Sequence, residues 1–256
     1  MSHDLAKEKF RELLSVMDDL REKCPWDQKQ TWQSLHNLTI EEVHELLDAI
    51  SEGDSRQIKE EIGDVMLHLL FYTRLASETN LFSMTNVIES LIDKLKQRHP
   101  HIYGEVKVAD EKEVRKNWEE IKMKQSGKSL LSGVPNSLPA IIKSWRLQEK
   151  AAQVGFEWDQ IDQVWIKVEE ELEELQSAKN SQASQVKLED EWGDVVFALI
   201  NYARFLGIDP EQSLQKTNAK FIRRFNFMES NASKPLQDMT LVEMDALWNE
   251  AKLNGL

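Results

Sequence analysis

One acidic pattern occurs twice along this chain, and the repetition constrains its architecture more than any other feature. The first copy reads Glu41-Glu42-x-x-Glu45 and then Glu61-x-x-Asp64; the second reads Glu170-Glu171-x-x-Glu174 and then Glu191-x-x-Asp194. Each closing aspartate follows a glycine, Gly63 or Gly193, and opens an apolar run, Val65-Met66-Leu67 or Val195-Val196-Phe197. Other segments fall into step around these anchors. Trp26-Asp27 matches Trp158-Asp159, and Glu60-Glu61-Ile62-Gly63-Asp64 matches Asp190-Glu191-Trp192-Gly193-Asp194. Lys94-x-x-x-Arg98 matches Lys220-x-x-x-Arg224, and the stretch from Trp118 to Lys122 matches Trp248 to Lys252. The offset stays between 126 and 132 throughout. Ordered matches at a nearly constant offset describe a tandem duplication of a domain of about 110 residues, an ordinary domain size.

The repeat is helical. Glycine (9) and proline (6) are scarce, and apolar residues recur at helical spacing, as in Phe10, Leu13, Leu14, Met17 and Leu20. The pattern predicts an all-α chain with helices near 4–22, 31–51, 55–79, 84–98 and 110–125, then near 138–153, 160–179, 184–206, 210–229 and 240–254. Cys24-Pro25-Trp26-Asp27 separates the first two helices, Glu52-Gly53-Asp54 reads as a C-cap and turn, and Pro100 ends the fourth helix. Residues 126–137 have linker composition. The expected organisation is therefore an N-terminal domain over 1–125, a linker over 126–137, and a C-terminal domain over 138–256.

Bulk properties narrow the function. A net charge of −13 argues against nucleic-acid binding, which calls for a basic face. The single cysteine, Cys24, excludes an intrachain disulfide and fits a reducing cytosol. No apolar stretch approaches the roughly 20 residues of a membrane helix, and the N-terminus lacks a signal-peptide pattern. A cytoplasmic protein without nucleic-acid or membrane partners is expected.

Residues three and four apart share a helix face. Glu171 projects with Glu174, and Glu191 with Asp194. If the two helices pack antiparallel through their short connection, four carboxylates face one pocket and form a hard-cation site suited to Mg²⁺. Glu169, Glu170, Glu171, Glu173 and Glu174 place five acids within six positions, a repulsion that a divalent cation offsets. A single Glu-Glu-x-x-Glu is usually a solvated face; both halves of the pattern, beside Gly-Asp-apolar and present twice, point to a site. Lys220 and Arg224 lie one turn apart and either grip phosphate oxygens or form a solvated basic face. Trp248 either stacks a base, with Lys252 adding charge, or belongs to the core. The six histidines form no metal-spaced set and are given no role.

Taken together, these motifs resemble the MazG family of nucleoside triphosphate pyrophosphohydrolases in its two-domain bacterial form. Lys23-Cys24-Pro25-Trp26-Asp27, Glu61-Ile62-Gly63-Asp64 and Lys220-x-x-x-Arg224-Phe225 add to the likeness, which covers essentially the whole chain. The resemblance implies a tandem pair of all-α, MazG-like helical bundles, a homodimer, Mg²⁺ dependence, and the reaction NTP + H₂O → NMP + PPi on ribo- and deoxynucleotides, with nucleotide-pool house-cleaning as the purpose. It implies that the C-terminal domain is catalytic, with Glu171, Glu174, Glu191 and Asp194 as metal ligands. It also implies nucleotide contacts from Lys167, Val168, Glu169, Glu170 and Glu171, from Lys187, Leu188, Glu189 and Asp190, and from Lys220, Arg223, Arg224, Trp248 and Lys252.

The N-terminal half keeps its own set: Glu42, Glu45, Glu61, Asp64, Lys94, Arg98, Trp118 and Lys122. It departs at His44 in place of Glu173, at Gln97 in place of Arg223, and at His99-Pro100. A mainly structural or regulatory role is expected for it. The competing readings are a helical module that senses nucleotide without turnover, and a pyrophosphatase restricted to one dNTP.

Overall fold

A computed structural model describes residues 3–110, 113, 114, 117, 118, 121 and 129–256. The chain divides into two compact units, Met1–Trp118 and Glu119–Leu256. Among the described residues both are built from helices alone. The predicted helix over 110–125, the start of the 126–137 linker and Lys122 lie largely outside the described residues.

The first unit contains α1 (His3–Lys23), a 3₁₀ turn (Asp27–Lys29), α2 (Trp32–Glu52), α3 (Ser55–Glu78), α4 (Met84–Arg98) and the one-turn α5 (Pro100–Tyr103). Local chemistry sets the ends. Thr31 and Ser34 form a reciprocal capping box at the start of α2, and Ser83 and Asn86 do the same for α4. Gly53 takes φ 74° and its N–H donates to the Ala49 carbonyl, closing α2, while the Asp54 side chain accepts from the Arg56 and Gln57 N–H groups to open α3. Positive φ costs glycine nothing, which is why the turn holds one. α4 ends at Arg98 with the break at His99, the residue before the proline, as expected, and Pro100 goes on to begin α5 at a first-turn position where its missing N–H is harmless.

α2 and α3 form a long hairpin, and α1 and α4 lean on α3. Met17, Leu35, Leu70, Phe71 and Leu75 make the core, with Phe10, Leu13, Leu14, Leu38, Tyr72 and Met84 packed around it. Arg21 ties the corner together. Its guanidinium meets Glu78 at 2.7 and 3.0 Å and donates to the Asp27 and Gln30 carbonyls, so the Cys24–Gln30 turn is fixed against the end of α3.

The second unit repeats the plan with a 3₁₀ turn (Leu130–Gly133), α6 (Ala140–Gln153), α7 (Ile161–Asn180), α8 (Gln185–Phe205), α9 (Pro210–Asn231), a further 3₁₀ turn (Leu236–Asp238) and α10 (Leu241–Leu253). The α7–α8 hairpin is again the longest contact, α6 packs on α8, and α9 pairs with α10. Val164, Val168, Val195, Ala198 and Ile200 are buried along the hairpin, and Gln148 of α6 donates to the Phe197 carbonyl at 2.8 Å. Glu243 caps α10. The Thr240 backbone N–H, Lys234 and the Thr240 hydroxyl hold its carboxyl down at about 2.

Two features of this fold are unusual for a self-contained bundle. The hairpins leave large apolar side chains exposed, among them Leu47, Ile50, Ile62 and Leu69 in the first unit and Leu172, Trp192 and Leu199 in the second. Gly63 and Gly193 sit mid-helix, and a Cβ at either would meet no atom within 4 Å. Glycine in a helix interior costs about 1 kcal/mol relative to alanine, and packing within the unit does not require it. Gly193→Ala is accordingly expected to raise stability by about 0.5–1 kcal/mol, read as a rise in the urea midpoint at unchanged m-value.

Candidate metal and nucleotide site

The α7–α8 hairpin brings three acids of the repeat together. One carboxylate oxygen each from Glu171, Glu191 and Asp194 lies within 4.8 Å of the others. Glu171 and Glu191 are 7% and 4% exposed, and Asp194 is exposed. Helical phase explains the set: Glu191 and Asp194 share one face of α8 across three residues, and Glu171 meets them from α7. Glu174, expected as the fourth member, is exposed one turn further along α7 and stands outside this group.

Two lysines accompany the buried acids. Lys167 pairs with Glu171 at 2.6 Å and with Glu170 at 2.8 Å, and Lys187 pairs with Glu191. Each lysine lies four residues before the buried glutamate on its own helix. These contacts raise both ammonium groups above their ordinary range, Lys167 through hydrogen bonds to Glu170 and Glu171, Lys187 through its bond to Glu191. Asp194 is pushed up first by burial and then by the charges of Glu171, Asp190 and Glu191, with Lys167 opposing.

A second set of side chains lies on α9 and α10. The Arg224 guanidinium stands 5.5 Å from the centre of the Trp248 ring, and Phe221 packs on the same ring at 5.1 Å. Arg224 Nε donates to the Leu256 carbonyl at 2.7 Å, which fixes the plane of the guanidinium and leaves its terminal nitrogens for another partner. Lys220 and Arg223 are exposed, and Lys252 donates to Asn249 Oδ1 at 3.3 Å. Among the other expected nucleotide contacts, Glu169 accepts from the Trp165 indole and Glu189 from Gln185. Leu188 is half-buried and Asp190 exposed. Val168 has no exposure at all, so its side chain fills the core of the hairpin.

The first unit builds the corresponding group differently. Glu42, Glu45 and Glu61 come within 4.8 Å, and Asp64 stands outside. Leu38 and Gln57 occupy the positions of Lys167 and Lys187, so no ammonium lies one turn before these acids. Burial, then Asp64, Glu45 and Glu41, pushes Glu42 up; burial, then Glu45, Asp64 and Glu42, does the same to Glu61. Glu61 Oε2 is buried without a hydrogen-bond partner. His68, given no role from sequence, is buried on α3 with Nε2 4.0 Å from Glu42. Its Nδ1 lies 2.8 Å from the Thr39 hydroxyl, which is also 2.7 Å from the Tyr72 hydroxyl. Its signal was the spacing Glu61, Asp64, His68, Tyr72, one stripe of α3. Burial lowers the pKa of His68, with Asp64 opposing. Arg98 over Trp118 at 5.4 Å repeats the Arg224–Trp248 stack, and His99 adds an edge contact to the same ring at 4.9 Å.

Each unit presents a cluster of carboxylates on its helical hairpin and, on later helices, an arginine stacked on a tryptophan, groups of the kinds that can hold a metal ion and a phosphate. The MazG nucleotide pyrophosphohydrolase domain matches the chain twice, over residues 30–103 and 163–227. The chain is 40% identical over 251 residues to the nucleoside triphosphate pyrophosphohydrolase/pyrophosphatase MazG of Thermotoga maritima, covering 95% of both chains. It is 37% identical over 251 residues to the nucleoside triphosphate pyrophosphohydrolase of Escherichia coli K12, covering 94% of this chain and 95% of that one. It is also 44% identical over 256 residues to YabN of Bacillus subtilis, of which it spans 52%. The chain belongs to the MazG family.

Proposed function

We propose that this protein is a Mg²⁺-dependent nucleoside triphosphate pyrophosphohydrolase that converts ribo- and deoxynucleoside triphosphates to NMP and pyrophosphate at the carboxylate group of its second unit, with removal of surplus or aberrant nucleotides as its purpose. The observation that carries the reading is the Glu171, Glu191 and Asp194 group, in a chain related along nearly its whole length to proteins of that name.

The donor set fits the ion. Mg²⁺ takes hard oxygen ligands, commonly one or two carboxylates together with substrate phosphates. Three clustered carboxylates, the charges of Glu171 and Glu191 helping to push Asp194 up, supply such oxygens, and Glu174 on the next turn is a further donor for an ion bound to substrate. When bound, the ion supplies charge neutralisation and Lewis acidity toward the triphosphate. The protein does the rest. Burial holds Glu171 and Glu191 in place, so the group is organised before substrate arrives. Lys167 and Lys187, released from their glutamates, become long cationic arms for phosphate oxygens. Arg224, held by Leu256 and Trp248, presents its free guanidinium edge to a phosphate, while Lys220, Arg223 and Lys252 add positive charge around it. Trp248 keeps part of its ring open to a base. No side chain in this set reads a particular base edge, which favours broad specificity.

The exposed apolar faces of the hairpins suit a homodimer, in which a second copy covers them. The first unit, with its acids unaccompanied by lysine and with His99 against Trp118, is assigned a mainly structural or regulatory role. No helix among the described residues is long and apolar enough to cross a membrane. The test is turnover of ATP and the dNTPs with Mg²⁺, resolving products: NMP and pyrophosphate support the proposal, whereas NDP and phosphate, or binding without turnover, refute it. Arg224→Lys keeps the charge but loses the planar fork and the stack on Trp248; we expect KM to rise about tenfold, near 1.4 kcal/mol, with a smaller change in kcat.

A further inference from the structure

We infer that the turn closing α10, Ala251 to Leu256, is the positioning device of Arg224, and that Gly255 is the residue on which it depends, an inference that rests on the proposed function only in that Arg224 meets a substrate phosphate. Gly255 and Leu256 touch no substrate themselves; they act through the arginine.

The turn is built by its hydrogen bonds. α10 ends at Leu253, and Asn254 follows at φ −80° and ψ 6°. Gly255 then turns to φ 79°. Its N–H donates to the Lys252 carbonyl at 3.1 Å, and the Leu256 N–H reaches back to the Ala251 carbonyl at 3.2 Å. Two such bonds around a left-handed residue make the Schellman closure of a helix. Ala251 has no exposure and Leu256 is half-buried, so the turn is anchored at both ends. A Cβ on Gly255 would meet no atom within 4 Å. Space does not select glycine here; the backbone angle does.

The consequence is the direction of one carbonyl. Arg224 Nε, on α9, donates to the Leu256 carbonyl at 2.7 Å. The Trp248 ring, 5.5 Å from the guanidinium, fixes where the cation sits but leaves its fork to turn over the ring face. The bond at Nε removes that freedom. A guanidinium can meet an oxyanion along its Nε–Nη side or by the edge between its two Nη atoms. The Leu256 carbonyl occupies the first, so Arg224 presents the second. Both restraints come from α10, the ring from its last turns and the carbonyl from just beyond its end. Arg98 of the first unit has only one of them. It stands 5.4 Å from the Trp118 ring, yet its Nε is buried without a hydrogen-bond partner among the described residues. The stack recurs in both units, and the hold on Nε is found in the unit to which the reaction is assigned.

The test compares three variants of the full chain, Gly255→Ala, Gly255→Asn and Gly207→Ala. Alanine resists positive φ, whereas asparagine tolerates it. Gly207 follows the end of α8 at φ 68° with the same open space around it, and it controls for the general cost of such a change. Hydrogen exchange at the Arg224 Nε–H, assigned with Arg224→Lys, is followed by NMR without nucleotide, and KM and kcat for ATP are measured with Mg²⁺. Gly255→Ala is expected to speed the exchange on the order of tenfold and to raise KM about threefold to fivefold with kcat nearly unchanged. Gly255→Asn is expected to return both toward the parent values, and Gly207→Ala to leave both as they were. Unchanged exchange in Gly255→Ala overturns the proposal. A rise in KM that Gly207→Ala matches, or that Gly255→Asn fails to reverse, overturns it as well. If the parent chain releases no NMP and pyrophosphate, the proposed reaction fails instead, and the exchange rates alone decide whether the turn holds Arg224.

Discussion

Replacing Glu191 by glutamine is expected to lower kcat for ATP hydrolysis on the order of 10³-fold, near 4 kcal/mol of transition-state stabilisation, while Glu61→Gln changes it less than about threefold. The two residues occupy equivalent places in the repeat, so the comparison isolates the unit rather than the residue type. Glu191 is 4% exposed and belongs to the carboxylate group whose lysine companions stand ready to move to phosphate. Glutamine keeps the size of the side chain and one acceptor oxygen but removes the charge that holds a divalent ion. Lys187 loses its partner as well, so the variant's thermal unfolding must be compared with that of the parent chain before its rate is interpreted. Equal losses in the two variants would make both units catalytic, and loss in Glu61→Gln alone would move the reaction to the first unit.

Addition of Mg²⁺ at a hundred times its dissociation constant is expected to stabilise the protein by about 2.7 kcal/mol, a rise in Tm of roughly 5–10 °C for a chain of this size, reversed by EDTA. The pH dependence follows from the raised carboxylates. Asp194, Glu42 and Glu61 all have folded-state pKa values above their ordinary ones, chiefly from burial and then from the charge of neighbouring carboxylates in their own unit. Without the ion they contribute stability below the ordinary carboxylate range, and that contribution is lost as pH rises through their raised values. An ion needs the deprotonated groups, so its effect runs the other way: small at acidic pH and growing toward neutrality. Differential scanning calorimetry from pH 4.5 to 8, with and without Mg²⁺, measures both trends. A Tm shift that is the same at every pH would mean that the ion acts elsewhere.

Much of this architecture was legible in the sequence because the signals were local. Gly53 before Asp54, and Asp209-Pro210 at the start of α9, place helix ends within a residue or two, and the three-residue spacing of Glu191 and Asp194 puts both on one face. What depends on the crossing of two helices was not. Spacing alone gives Glu171 and Glu174 equal standing, yet the packing of α7 on α8 buries the first and exposes the second. Lys167 and Lys187 were expected beside a nucleotide; their four-residue spacing to Glu171 and Glu191 equally foretold the ion pairs they make. His68 escaped notice because its hydroxyl partner, Thr39, lies on another helix 29 residues away.

The central claim is that water attacks the α-phosphorus of a nucleoside triphosphate at this protein. Turnover of ATP in ¹⁸O-labelled water, with mass analysis of both products, tests it most directly. One ¹⁸O in AMP and none in pyrophosphate is expected. Label in pyrophosphate, or release of ADP and labelled phosphate, would contradict it.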